Sequence, residues 1–282
     1  MKTVVVTGAS TGIGQACVKV LINEGFRVFG SVRKQADADR LQAEFGANFT
    51  PLIFDVTDQE AVKRGAATVE KALGGETLFG LVNNAGVAVA GPLLYLDLDE
   101  LRQQLNVNLI SQLGVTQAFA SLLGADTSRT GKPGRIVMMS SIGGKNAFPF
   151  MGPYAASKFG LEGLGESLRR ELMIFGIDVI MIRPGAVATP IWDKADEVDV
   201  NRFANTPYLE PLKKIKEVMI ERGHNGYPPE RIGRAVLKAL TTASPKVAYT
   251  ENPEKLQGLA VRVLPKRAID KAVANQLGLK RK

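Results

Sequence analysis

The sequence predicts an α/β fold in which a parallel sheet of about seven strands lies between two layers of helices. Short β-branched or apolar runs alternate along the chain with longer stretches of helical periodicity, the pattern of strands buried on both faces. The polar residues with chemistry in them fall just after those runs, where ligands bind in open parallel sheets. The 282 residues, 45% hydrophobic and 23% charged, suffice for one large domain of this kind. No internal repeat, low-complexity tract or linker divides them, so a single domain is expected.

Composition removes several function classes. No run approaches the roughly 20 apolar residues of a membrane span, and no charged-apolar-small leader precedes Val4, so a cytoplasmic location is expected. A single cysteine, Cys17, excludes an internal disulfide, and a single histidine, His224, leaves little for a zinc site. Cys17 occupies an apolar helical position and reads as buried filler. The net charge of +8 is dispersed over Lys213, Lys214 and Lys216, over Lys266 and Arg267, and over Lys280 to Lys282. Solvated helix faces account for it without nucleic acid; an anionic cofactor or substrate is the next explanation.

Val4-Val5-Val6 is the first strand, and Thr7-Gly8-Ala9-Ser10-Thr11-Gly12-Ile13-Gly14 the turn after it. A helix follows with Ile13, Cys17, Val20 and Leu21 on one face. Strand, glycine-rich turn and helix in this order make a phosphate cradle, because glycine permits close backbone approach and the helix N-terminus offers N–H groups and a positive dipole end. The spacing is G-x-x-x-G-x-G rather than the dinucleotide fingerprint G-x-G-x-x-G. Arg27 to Val32 is the second strand. It runs into Arg33-Lys34 with no carboxylate before Asp37, which points to the 2′-phosphate of NADP(H) rather than the free ribose hydroxyl of NAD(H).

Leu52-Ile53-Phe54 is the third strand, closing at Asp55, with a helix from about Asp58 to Leu73. Leu78 to Val82 is the fourth and ends in Asn83-Asn84-Ala85-Gly86. One long helix is expected from about Leu98 to Leu123, although Asn106 and Asn108 inside it disfavour helicity and suggest a buried amide. After a polar loop from Gly124 to Gly134, Ile136 to Met139 delivers Ser140 and Ser141. Val179 to Ile182 is the sixth strand, ending in Arg183-Pro184-Gly185, and Val247-Ala248-Tyr249 the seventh.

The stretch from Ser140 to Lys158 holds the reactive groups. Pro153 suits the first turn of a helix, which places Tyr154 and Lys158 one turn apart on one face. A nearby ammonium favours phenolate, so the Tyr154 pKa is expected to fall from about 10 toward the range where it exchanges protons with a substrate oxygen.

TGASTGIG at 7–14, Asp55, NNAG at 83–86, Asn108, Ser141, YAASK at 154–158 and Pro184-Gly185 with Thr189 together resemble the classical short-chain dehydrogenase/reductase family, from the first strand to about Thr189 and more loosely beyond. The resemblance implies a Rossmann-type doubly wound sheet and hydride exchange between a nicotinamide and a carbonyl or alcohol carbon. It makes Tyr154 the general acid or base, Ser141 the ligand of the substrate oxygen, and Lys158 the ligand of the nicotinamide ribose. Asn108 would hold a water linking Lys158 to solvent. Gly8, Gly12 and Gly14, with Ser10, Thr11 and Ile13 along the same turn, would cradle the pyrophosphate. Asp55 and Val56 would meet adenine, Asn83 would line the cofactor site, and Pro184, Gly185 and Thr189 would complete it. The family also implies a homodimer or homotetramer.

On this view residues 1–185 form the cofactor-binding and catalytic core, 186–228 a substrate lid, and 250–282 a C-terminal helical extension. Ile191, Trp192, Phe203, Tyr208 and Leu212 are expected to line the lid, with Phe148, Phe150 and Met151 opposite. The end of the chain is similar to members acting on steroids, retinoids and other hydrophobic alcohols, so a small hydrophobic carbonyl or alcohol is the expected substrate. A 3-oxoacyl thioester reductase is the enzymatic alternative, and a catalytically silent NADP(H)-binding sensor the non-enzymatic one. Leu256, Leu259, Val263 and Leu264 follow helical spacing among Arg262, Lys266, Arg267 and Lys271. That helix is expected to pack on its own domain, with a membrane surface or a partner subunit as the alternative.

Overall fold

The computed structural model describes residues 1–254 and 263–279. Seven strands form one sheet: β1 (Thr3–Val6), β2 (Arg27–Val32), β3 (Phe49–Ile53), β4 (Gly80–Asn83), β5 (Arg135–Met139), β6 (Asp178–Pro184) and β7 (Ala248–Glu251). Their order is β3-β2-β1-β4-β5-β6-β7 and every pairing is parallel. The chain leaves β1 toward β2 on one side and returns to β4 on the other, which opens a crevice at the carboxyl ends of β1 and β4.

The period-two alternation of each strand divides its side chains between two cores. Val4 and Val6 enter one, with Val28, Val137, Ile180 and Ile182; it is closed by α1 (Gly12–Asn23), α2 (Gln35–Phe45) and α9 (Pro229–Thr241). Val5 enters the other, with Phe29, Leu81, Ile136, Met138 and Val179. That core is closed by α3 (Gln59–Leu73), α5 (Ser111–Phe119) and α6 (Gly152–Glu171). Cys17 lies wholly inside the first core, and burial pushes its thiol up to about 12, consistent with inert filler.

The long helix expected over 98–123 is a correction. The chain forms α4 (Leu98–Leu105), a wide turn over Asn106–Ile110, α5, and a second wide turn over Ser121–Ala125. In the first wide turn the Ser111 N–H reaches back five residues to the Asn106 carbonyl. The extra residue per turn turns Asn108 inward, where it is fully buried. Helix α2, between the second and third strands, is an element the expected pattern lacks.

Beyond β6 come α7 (Ile191–Asp196) and α8 (Leu209–His224), then α9. A C-terminal helix, Lys266–Leu277, seats Leu277 against Phe150, Phe203 and Leu212 in a third apolar cluster. Leu256, Leu259, Arg262 and Lys280 to Lys282 lie outside the described residues; Val263 and Leu264 are exposed. Among the described residues no helix is long and apolar enough to cross a membrane.

Candidate active site

The glycine turn is held in shape by its neighbours. The Gly8 N–H donates to Ser31 Oγ at 3.0 Å and the Ala9 N–H to the Ser31 carbonyl at 2.8 Å. The Asn84 carboxamide donates to the carbonyls of Thr7 at 2.9 Å and Gly8 at 3.2 Å. The Thr7 hydroxyl accepts from the N–H groups of Asn84 and Ala85. At Gly14 a Cβ would collide with the Gly8 carbonyl oxygen, so the first turn of α1 lies flat against the strand end. Gly8 and Gly12 have left-handed backbones, with φ of +66° and +58°.

Thr11 caps α1 without a side-chain bond, and no acidic residue enters the helix's first turn. Ser10 and Thr11 stand at the mouth of this turn, while Ile13 packs down onto the first core. The cradle therefore suits the pyrophosphate of a nicotinamide dinucleotide: its N-terminal N–H groups meet no competing carboxylate, and no Cβ fills it.

At the ends of β2 and β3, the exposed Arg33 lies 3.9 Å from the half-buried Asp55. Desolvation raises the Asp55 pKa, but hydrogen bonds from the Thr57 N–H and hydroxyl and the Arg33 charge outweigh it and hold the carboxyl below its ordinary value. The Val56 side chain is buried in the second core. Arg40 on α2, which no sequence pattern singles out, donates to the Ser10 carbonyl at 2.6 Å and pairs with Asp37 and Glu44. It ties α2 to the glycine turn, an effect visible only once the helix is folded back.

Strand β5 delivers Ser141, and α6 delivers Tyr154 and Lys158 to the same place. Ser141 caps a short 3₁₀ turn by accepting from the Gly143 N–H at 3.0 Å, its hydroxyl donates to the Pro184 carbonyl at 3.5 Å, and it lies beside the Tyr154 ring. Lys158 is buried and donates to the Met139 carbonyl at 2.7 Å, with its ammonium 5.7 Å from the centre of the Tyr154 ring. Desolvation lowers Lys158 from 10.5 to about 8.

The expected fall of the Tyr154 pKa is corrected: desolvation raises it, and only the Ser141 hydrogen bond pulls the other way. Charge proximity was legible in the Y-x-x-x-K spacing, but the dry environment that outweighs it was not.

A buried amide network backs these groups. Asn108 Oδ1 accepts from the Val87 N–H at 2.9 Å, and Nδ2 donates to the Val87 carbonyl at 2.9 Å and Ser157 Oγ at 3.2 Å. Gln104 also brackets this loop, donating to the Val87 carbonyl and accepting from the Val89 N–H. The Asn83 carboxamide points away from the glycine turn. It is buried and donates to Thr116 Oγ1 at 2.8 Å, committed to α5; Asn84 is the residue that reaches the glycine turn.

Pro184 ends β6, and Gly185 follows with its N–H on the Glu251 carbonyl, pressed so close to Asn252 that no Cβ would fit. Thr189 faces Gly12 across the crevice, 3.3 Å from where a Cβ there would lie.

Of the apolar residues expected near the substrate, Phe150, Phe203 and Leu212 share the third cluster, and Tyr208 packs edge-on against Phe150 and Tyr95. Phe150 has a left-handed backbone, φ 65°, and its carbonyl accepts from the Gly91 N–H. Trp192 packs on Gly223 of α8 and donates to the Val187 carbonyl, bracing its own segment, and Ile191 is exposed. Phe148 and Met151 are half-buried.

The family model of the short chain dehydrogenases matches residues 2–199. The chain is 38% identical over 272 residues to an NADPH-dependent 3-dehydrocapnine reductase of Ornithobacterium rhinotracheale, covering 96% of this chain and 95% of that protein. It is 31% identical over 285 residues to retinol dehydrogenase 5 of Homo sapiens, covering 95% of this chain and 86% of that one. A short-chain dehydrogenase structure from Streptomyces avermitilis superimposes with a TM-score of 0.75 at 24% identity, over 99% of this chain and 96% of that one, which supports the fold. A glycine cradle at the sheet's switch point and a tyrosine, serine and lysine gathered beside it thus stand in a chain that belongs to the short-chain dehydrogenase/reductase family, oxidoreductases working between CH–OH and C=O with a nicotinamide cofactor.

Proposed function

We propose that this protein is an NADP(H)-preferring carbonyl reductase or alcohol dehydrogenase for a bulky hydrophobic substrate, with Tyr154 as its general acid and base. The observation that supports this best is the convergence of Ser141, Tyr154 and the buried Lys158 at the carboxyl end of β5. Tyr154 protonates the substrate oxygen in reduction and deprotonates it in oxidation. Ser141 holds that oxygen by hydrogen bonding. Lys158, pinned by the Met139 carbonyl, keeps a positive charge beneath the ring and binds the nicotinamide ribose. Asn108, fixed by its bonds to Val87 and Ser157, holds the water that links this ammonium to solvent.

The bound nicotinamide supplies or accepts the hydride. Gly8, Ser10, Thr11, Gly12, Ile13 and Gly14 hold its pyrophosphate, Asp55 and Val56 its adenine, and Pro184, Gly185 and Thr189 its nicotinamide end. Arg33 recognises the 2′-phosphate. The NADPH dependence in the name of the Ornithobacterium relative agrees with that preference. A lid of residues 186–228 and the aromatic rings of Phe150 and Tyr208 favour an apolar substrate, and retinol in the name of a relative fits it.

The test is cofactor consumption by the purified protein with NADPH or NADH against steroids, retinoids, aryl ketones and acyl thioesters, in the parent and in Tyr154→Phe. The expected result is NADPH-dependent turnover of an apolar ketone, lost in Tyr154→Phe with NADPH affinity nearly intact. Parental rates in that variant refute the proton role. Turnover of acyl thioesters alone favours the thioester reductase, and NADPH binding without any turnover favours the sensor.

A further inference from the structure

A second charged cluster lies directly behind the reacting groups. Glu162 is one turn beyond Lys158 on α6, and its side chain is only 6% exposed. Arg183 donates to it through two parallel bonds, Nε to Oε1 at 2.8 Å and Nη2 to Oε2 at 2.6 Å. Lys145 Nζ stands 3.1 Å from Oε2. The buried Ser140 hydroxyl, unpartnered among the described residues, lies near this carboxylate. Desolvation alone would raise Glu162, yet these hydrogen bonds and charges outweigh it and hold the carboxylate ionised.

Glu162 and its partners come from three different elements. Lys145 and Ser140 flank Ser141 on the loop after β5. Arg183 immediately precedes Pro184 and Gly185 at the end of β6. Glu162 belongs to the helix that presents Tyr154 and Lys158. We propose that Glu162 is a positioning residue: through Arg183 and Lys145 it clamps the Ser141 loop and the end of β6 onto the helix that carries Tyr154 and Lys158.

An apolar side chain would pack this buried helix face at least as well, because a buried ion pair seldom adds stability over a hydrophobic pair of equal volume. What the pair adds is direction, since a guanidinium bound through two hydrogen bonds fixes both distance and plane. The loop it secures lies close against α6. A Cβ on Gly144 would meet the Lys158 carbonyl at 2.9 Å, and one on Gly143 the Tyr154 ring at 3.2 Å. A small loosening there moves Ser141 relative to the phenol, and sub-ångström placement governs rate in such sites.

The proposal rests on Tyr154 being the proton-transferring group, and the experiment separates the two. Glu162→Gln, Lys145→Met and Tyr154→Phe are compared by NADPH-dependent reduction of the best ketone from the panel above, and by hydrogen–deuterium exchange of the free protein. Glu162→Gln should lower kcat by about tenfold or more with the KM for NADPH within about threefold. Exchange should rise in both 140–146 and 183–186 while the turn at 7–14 is unchanged.

Arg183 from β6 and Lys145 from the loop after β5 are the charged groups touching Glu162, and Lys158 lies one turn back on its own helix. Removing the carboxylate leaves those cations uncompensated, so the alkaline limb of reduction should move to lower pH. Lys145→Met, at a half-exposed position, should move it higher, each by about half a pH unit or more.

Parental kcat and pH profile in Glu162→Gln overturn the proposal, as does lost activity with unchanged exchange in the two segments. Should Glu162→Gln not fold, Lys145→Met decides through the upward shift and faster exchange in 140–146; neither appearing overturns it. An active Tyr154→Phe refutes the proton role alone, and the exchange data still decide the clamp.

Discussion

At Lys158 two needs oppose each other. The ammonium must be charged to act on the phenol, and it is buried, so its value falls from 10.5 to about 8. The folded value lies below the unfolded one, so the unfolded chain binds more protons between about pH 8 and pH 10.5 and stability rises with pH across that window. The penalty is fully present below about pH 8 and amounts to about 3 kcal/mol at neutral pH, at about 1.4 kcal/mol for each tenfold loss of proton affinity. Lys158→Met loses the bond to the Met139 carbonyl at every pH but escapes this penalty. Urea unfolding of both proteins should therefore show the variant losing about 3 kcal/mol relative to the parent from neutral pH to pH 10.5. A constant difference would mean that the ammonium is not desolvated. Arg33 permits a separate prediction. It is exposed and, among the described residues, its ion pair is a long one with Asp55, which leaves it able to turn to a phosphate. Arg33→Ala should raise the KM for NADPH about tenfold, the worth of one charge-assisted pair, and leave that for NADH unchanged. Equal use of both cofactors by the parent would refute the preference.

At the scale of single elements, the glycine turn and the catalytic helix respond oppositely to the same change. Gly14→Ala drives a methyl group into the Gly8 carbonyl and to 2.7 Å from the Asn84 amide, both parts of the cradle. The turn must open, so NADPH affinity should fall at least about tenfold, with a stability loss of about 1–3 kcal/mol as for overpacking elsewhere. Gly163→Ala lies on the exposed face of α6 with open space around it. It should stabilise the protein by about 0.5–1 kcal/mol, the helical penalty of glycine, with parental turnover. Calorimetry and cofactor titration of the two variants check both statements. The turn was legible because TGASTGIG shows its glycines in order. The break in the helix over 98–123 was legible only in part: Asn106 and Asn108 marked a disfavoured place, but periodicity does not reveal that Val87 waits across the gap as partner.

At the scale of the whole molecule, the C-terminal helix closes an apolar cluster that the sheet does not reach. Leu277 is 3% exposed against Phe150, Phe203 and Leu212, with Val273 and Leu279 at the edge. Leu277→Ala should cost about 2–4 kcal/mol of local stability, as for a buried leucine, and should loosen α8. Because this cluster lies apart from the glycine turn, the KM for the hydrophobic substrate should rise while NADPH affinity stays parental; equal losses of both would refute that separation.

The sequence by itself determined the strands, the glycine cradle, and the shared face of Tyr154 and Lys158, because each depends on local patterning: buried runs of β-branched residues, glycines where the backbone turns left-handed, and a four-residue helical spacing. Tertiary structure decided what depends on neighbours distant in the chain. It turned Asn83 toward Thr116 and assigned the turn to Asn84; it brought Arg40 to Ser10 and Glu162 to Arg183; and it dried the surroundings of Tyr154 enough to reverse the direction in which its pKa moves. Desolvation and ion pairing are properties of a packed interior, and spacing along a chain does not encode which side chains will share one.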